Sequence, residues 1–101
     1  MQEATCVEPL MFRAAEVLRA LSHPVRLKVA LTLMEGESCV CRLLPRLGVS
    51  QPNLSQHLAV MRSAGVLRSR REGNVVLCSL CDDPLVRSIL EALAGSMEEV
   101  R

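Results

Sequence analysis

Apolar residues recur at helical spacing in Leu10, Ala14, Val17, Leu18 and Leu21, which predicts an amphipathic first helix over about Glu8 to Leu21. Ser22-His23-Pro24 ends it. Pro24 then begins a second helix capped by Ser22 or His23 and running to Met34, apolar on nearly every side and so expected in the core. Glu35-Gly36-Glu37 closes that helix. Ser38 is expected to cap a short third helix, Cys39 to Leu47, that stops at Gly48; Ser50 caps a fourth, tolerant of its early Pro52, that ends at Ala64-Gly65. Val66 to Arg71 and Val75 to Leu80 are β-prone runs flanking Glu72-Gly73-Asn74, the pattern of a hairpin. Asp83-Pro84 starts a last helix with Leu85, Ile89, Leu93 and Met97 in one stripe, widened by Val86 and Leu90.

The expected fold is therefore mainly α with a small β-hairpin: a winged helix-turn-helix of about five helices plus a two-stranded wing, filling residues 1–101 as one domain. The helix-turn-helix occupies about residues 38–65, the wing about 66–81, and helices over about 8–21 and 83–97 flank them. Hydrophobic residues make up 50% of the 101-residue chain and aromatics 1%, a balance that suits helix-on-helix packing and argues against an aromatic-rich β-sandwich. A lone domain of this size buries only about 60–65% of its unfolded surface, a shortage that a homo-oligomer relieves.

The chain has no apolar run of roughly 18 residues to span a membrane, and acids rather than a basic segment open it, so a cytoplasmic protein is expected. There its five cysteines are expected to be reduced thiols, open to metals or redox chemistry. The net charge of +1 hides an uneven distribution: residues 38–81 carry +5 and the remainder −4. Positive charge thus gathers in the middle of the chain, where it can meet phosphate.

Within the fourth helix Leu54, Leu58 and Met61 share one face and are expected to pack inward, turning Asn53, Ser55, Gln56, Ala59 and Ser63 outward, with Gln51 near the start. Amide side chains pair bidentately with adenine and hydroxyls accept several partners, so this surface suits the major groove of double-stranded DNA. A solvated helix face is the alternative, and the place of this helix as second in the motif favours the groove. His57, beside the buried stripe, is assigned to packing or phosphate contact rather than to a ligand. Arg62, and Arg68, Arg70 and Arg71 in the hairpin, are candidate phosphate contacts.

At this level the chain resembles the ArsR/SmtB family of metal- and thiol-responsive repressors, in particular its arsenic-responsive type. The resemblance lies in Leu21-Ser22-His23-Pro24-Val25-Arg26-Leu27, in Ser50-Gln51-Pro52-Asn53-Leu54-Ser55-Gln56-His57-Leu58 and in Arg70-Arg71-Glu72-Gly73-Asn74. It implies a homodimer paired through its first and last helices, seated on a near-palindromic operator until an inducer releases it.

Cys39-Val40-Cys41 resembles the paired-cysteine word of arsenic-, cadmium- and lead-responsive members. Helix N-terminal amides favour thiolates. Residues two apart on a helix diverge by about 200°, so one ion holding both sulfurs would unwind the first turn and act as a switch. The arsenic-type word has a further cysteine where this chain has Leu44, so a trigonal site needs another thiol: Cys6 first, then Cys78 or Cys81. Cys78 reads equally as a small buried filler. Cys78-Ser79-Leu80-Cys81 lacks the βαβ context of a redox enzyme, and a four-cysteine zinc site joining it to Cys39 and Cys41 is a lesser alternative.

The last helix has no histidine for the Asp/His zinc site of other members. The expected inducer is accordingly As(III) or Sb(III), followed by Cd(II) or Pb(II), with no organic cofactor. A redox or persulfide switch is the other thiol reading, and the close pair is expected to suit chelation better than a disulfide. A protein-interaction module that binds no DNA is the alternative of a different class. No nucleophile–base pair, phosphate loop or acid pair points to an enzyme.

Overall fold

In the computed structural model, which describes residues 8–100 and side chains as far as Met97, the helices are α1 (Pro9–Leu21), α2 (Pro24–Leu33), α3 (Val40–Leu47), α4 (Gln51–Ser63) and α5 (Pro84–Val100). The strands are β1 (Ser38–Cys39), β2 (Leu67–Glu72) and β3 (Val75–Leu80). Each helix start has a local chemical cause. Pro9, Pro24 and Pro52 occupy first-turn positions where no intrahelical N–H partner is needed. The His23 ring Nδ1 accepts the Val25 N–H at 3.1 Å, which decides the α2 cap in favour of His23 over Ser22. Ser50 Oγ accepts the Asn53 N–H, and Asp83 Oδ1 accepts the Leu85 N–H at 2.9 Å. Gly48 ends α3 in the left-handed conformation, φ +68°, and Gly73, φ +62°, supplies the positive φ that the two-residue β2–β3 turn requires.

Leu54, Leu58 and Met61 of α4 are buried together with Val17, Ala20 and Leu21 of α1, Val29, Ala30 and Leu33 of α2, Leu43 of α3 and Val86 and Leu90 of α5. The β2–β3 hairpin closes this core with Val66, Leu67 and Cys78. The core has no aromatic side chain and is packed from aliphatic ones, as the composition requires.

Three features differ from the sequence expectation. The expected two-stranded wing, β2 and β3, is extended by a third strand into an antiparallel sheet in the order β1-β3-β2, because Ser38 and Cys39 pair with Cys78 and Leu77. For the same reason α3 begins at Val40 rather than Cys39, and Cys39 rather than Ser38 is its N-cap, in extended conformation and without a side-chain cap bond. The apolar stripes of the two flanking helices are also only partly used. Leu10 and Leu18 on α1 are 63% and 53% exposed, and α5 buries Val86 and Leu90 while Leu85 and Ile89 are half-buried and Met97 is exposed. Helical periodicity identifies apolar positions without saying which of them this chain itself covers.

Candidate DNA-contacting face and thiol site

With Leu54, Leu58 and Met61 anchored in the core, α4 turns Gln51, Asn53, Ser55 and Gln56 to solvent. These carry amide and hydroxyl groups and no acid, a surface that can pair with base edges without repelling phosphate. Arg62, also exposed, donates from Nη1 to Ser69 Oγ at 3.1 Å and so links the end of α4 to β2. His57 is half-buried. Its Nδ1 lies 3.3 Å from Arg26 Nη1, and its ring centroid is 4.3 Å from that of His23. Because Arg26 can only donate, His57 Nδ1 accepts, and the ring is held neutral. Burial, with His23 and then the Arg26 charge, lowers its pKa below the ordinary 6.5. Arg26 is itself fixed by its Nε bond to Ala20 O at 2.6 Å. His57 therefore packs at the α1–α2–α4 junction.

The three hairpin arginines are not equivalent. Strand alternation puts Arg68 and Arg70 on the face opposite to the one on which Leu67 is buried. Arg70 is bound by two carboxylates: Nε and Nη2 donate to the two oxygens of Glu37, each at 2.9 Å, and Nη1 to Glu72 at 2.8 Å. This fork raises the Arg70 pKa and lowers that of Glu37 below 4.5. Arg68 and Arg71 are exposed and make no ion pair among the described residues, so they are the hairpin cations open to phosphate. No local signal marks Glu37 as a partner; it lies 33 residues from Arg70 and meets it only because β1 joins the sheet.

Cys39 and Cys41 are joined in a disulfide, S–S 2.07 Å with the Cα atoms 5.2 Å apart. The bond is possible because, contrary to expectation, the two cysteines do not both lie on one helix. The divergence of about 200° applies to two helical residues, whereas Cys39 is extended at φ −80°, ψ 154°, and only Cys41 is helical. Pro45 adds to the effect. It has no N–H for the carbonyl four residues back, so the Cys41 C=O has no helical partner and the first turn of α3 is weakly held. Cys41 is exposed and lines an open groove of about 420 Å³ whose other walls include Gln51, Ser55, Arg62 and Asn74. Cys41, α4 and the wing tip thus meet at one surface.

Cys78 and Cys81 do not join Cys39 and Cys41. Directly opposed residues of an antiparallel pair share a face, so Cys78, opposite Ser38, points away from the face of Cys39, opposite Leu77. Cys78 is fully buried, with its Sγ 3.7 Å from Ser69 Oγ. Cys81 is half-buried just past β3, where its N–H donates to Val66 O at 2.9 Å. Cys6 lies outside the described residues. Among the described residues no group of three His, Cys, Asp or Glu side chains is placed to hold a metal ion, so neither a four-cysteine zinc site nor a trigonal site using Cys78 or Cys81 is assembled. Nor is any helix there long and apolar enough to cross a membrane.

A family model described as "Bacterial regulatory protein, arsR family" matches residues 23–69, from the α2 cap into β2, a stretch that includes Cys39, Cys41 and all of α4. The chain is 43% identical over 86 residues to the HTH-type transcriptional repressor SmtB of Mycobacterium tuberculosis, covering 85% of this chain and 64% of that protein's length. It is 44% identical over 84 residues to the biofilm growth-associated repressor of Agrobacterium fabrum, covering 80% of this chain and 71% of that one. Among solved structures, the transcriptional repressor BigR from Xylella fastidiosa superposes with a TM-score of 0.78 at 35% identity, covering 94% of this chain and 95% of that one. Reduced HlyU from Vibrio cholerae gives 0.79 at 32% identity, covering 92% and 94%.

Proposed function

The chain belongs to the arsR family of bacterial regulatory proteins, and on that premise we propose that it is a homodimeric transcriptional repressor whose grip on operator DNA is set by the Cys39–Cys41 pair. The observation that carries this is the shared groove: Cys41 stands in one wall, and Gln51 and Ser55 of the reading helix in another. Gln51, Asn53, Ser55 and Gln56 meet base edges, while Arg62, Arg68 and Arg71 meet phosphate. Dimerisation uses the apolar residues that the lone chain leaves open, Leu10, Met11, Phe12 and Leu18 on α1 with Met97 on α5. Its partner being DNA, the protein works in the cytoplasm. Nothing in the site or in the relatives' names, all of regulators, calls for catalysis.

In that compartment the resting state is the dithiol, which holds DNA. The signal is an oxidant: a peroxide or a small disulfide takes two electrons, both thiols lose their protons, and the Sγ–Sγ bond forms. Closing a ring across the α3 N-cap resets the backbone at the groove wall and lowers operator affinity. Capture of As(III) or Sb(III), or of Cd(II) or Pb(II), by the reduced pair is the second reading. It is favoured by the exposed Cys41 thiol at a helix N-terminus, and it needs a third donor from beyond the described residues, Cys6 being the candidate.

Anaerobic native mass spectrometry of the reduced protein separates these, with arsenite, cadmium and a small disulfide offered in separate samples. The oxidant reading expects a dimer that loses two hydrogens per chain with the disulfide and holds no arsenic or cadmium. A dimer that takes up one arsenic per chain with loss of three thiol protons would move the assignment to the metalloid.

A further inference from the structure

Arg13 of α1 bridges two helix ends. It lies on α1 with its side chain one-third exposed, and its guanidinium is bonded on two sides. Nη1 donates to Ala64 O, and Nη2 donates both to Gly65 O at 3.3 Å and to Asp83 Oδ2 at 2.6 Å. Ala64 is the C-cap of α4, and Gly65, at φ +74°, is the left-handed residue that follows it. Asp83 is the residue whose other oxygen caps α5. A single side chain of α1 thus closes the C-terminus of the reading helix and clasps the N-cap of the last helix.

The chemistry of each contact suits a guanidinium. The C-terminal end of α4 offers unpaired carbonyls and the negative end of the helix dipole, while Asp83 offers a carboxylate, and a planar fork satisfies both at once. Arg13 is the leading cause that holds the Asp83 carboxyl below its ordinary pKa of 3.8, ahead of the Leu85 N–H. A lysine keeps the charge at this place without the fork.

α1 and α5 are the helices whose exposed apolar residues form the proposed dimer frame, and α4 is the helix that meets DNA. We propose that Arg13 is a positioning residue that fixes the angle of α4 against that frame, and with it the relation between the two reading helices of the dimer. This rests on the dimeric repressor reading above. Two half-sites on one face of B-DNA lie about 34 Å apart, so a small swing of α4 leaves one half-site engaged and carries the other out of register.

The test uses the full chain in its reduced state, with the tightest duplex recovered from a randomised library by the wild-type protein and the same duplex cut back to one half-site. Arg13→Met is expected to reduce the preference for the paired duplex about tenfold. Half-site affinity, the dimer constant by sedimentation and the circular-dichroism spectrum stay as in the wild type. Arg13→Lys does not restore the preference. Asp83→Asn, which keeps an α5 cap and removes the charge partner, shows a smaller loss in the same direction and serves if Arg13→Met fails to fold. Equal losses on both duplexes, a monomeric Arg13→Met protein, or full rescue by Arg13→Lys would overturn the positioning role while leaving the repressor reading intact. A wild-type protein with no preference for paired sites would overturn the dimeric reading and this role with it.

Discussion

This chain has two close pairs of cysteines, Cys39 with Cys41 and Cys78 with Cys81, and the fold treats them in opposite ways. Cys39 and Cys41 sit where β1 turns into α3: one residue is extended, the next but one helical, their sulfurs are bonded, and Cys41 lines an exposed groove. Cys78 lies on β3 directly opposite Ser38 but on the other face of the sheet from Cys39, sealed in the core beside Ser69, and Cys81, just past β3, is tied by its backbone to Val66. Sequence spacing alone favoured neither pair as a partner for the other. Backbone conformation and exposure decide: a thiol reacts where its backbone brings a second sulfur to it and water reaches it, and packs as a small apolar group elsewhere.

The largest effect is expected from removing the exposed pair. With Cys39→Ser and Cys41→Ser combined, operator affinity of the reduced protein should stay within about twofold of wild type. The affinity loss on oxidation, about 10- to 100-fold in the wild type, should disappear. Loss of DNA binding in reducing buffer would mean that the pair is structural. Alkylation kinetics sharpen the same contrast: in the folded, reduced protein iodoacetamide should modify Cys41 about a hundred times faster than Cys78, whose reaction awaits opening of the core. Peptide mass mapping at successive times reads this, and similar rates would break the distinction.

A smaller effect is expected at the buried pair. Cys78→Ala should lower stability in urea by about 1 kcal/mol, the scale of one lost buried group, and leave release by oxidant unchanged. An uninducible Cys78→Ala protein would bring the buried thiol back into the switch. The smallest effect concerns the outer face that Cys39 shares with the Glu37–Arg70 pair. Glu37→Gln should release Arg70 toward phosphate and steepen the log–log salt dependence of DNA binding by about 0.9. Acid should act in the same direction. The carboxyl of Glu37 has a depressed pKa in the fold, so its hold on Arg70 is complete above its ordinary value of 4.5 and is lost as pH falls through the lower folded value. Salt titrations of the wild type at falling pH should approach the slope of the variant, and a slope unmoved by both changes would show that Arg70 never reaches DNA.

Much of this architecture was legible in the sequence because its signals are local. Pro24 and Pro52, the caps at Ser50 and Asp83, and the glycines at 48 and 73 mark element ends within a turn of where they fall. The inward face of α4 followed from three residues at helical spacing, and its outward face by subtraction. What escaped depends on distant partners. Ser38 and Cys39 are extended only because β3, some 40 residues on, offers them a pairing edge; without it the Ser-Cys-Val-Cys stretch reads as a capped helix. That one strand overturned the helical geometry assigned to the thiol pair and brought Glu37 to Arg70.

Arg13 gave no sequence signal either, since its partners are 51 and 70 residues away. Leu10 and Leu18 were read correctly as a helix face, while whether the lone chain buries them is a matter of tertiary packing that periodicity does not encode.

The most direct test of the central claim is a fluorescence-anisotropy titration of one labelled operator duplex with the same protein preparation, first fully reduced, then oxidised by a small disulfide, then reduced again. Tight binding, a loss of about 10- to 100-fold on oxidation and full recovery on reduction are expected of the wild type, whereas the Cys39→Ser, Cys41→Ser protein should bind equally tightly in all three states. Equal affinity in all three states, with mass spectrometry showing the Cys39–Cys41 bond formed and broken, would contradict it.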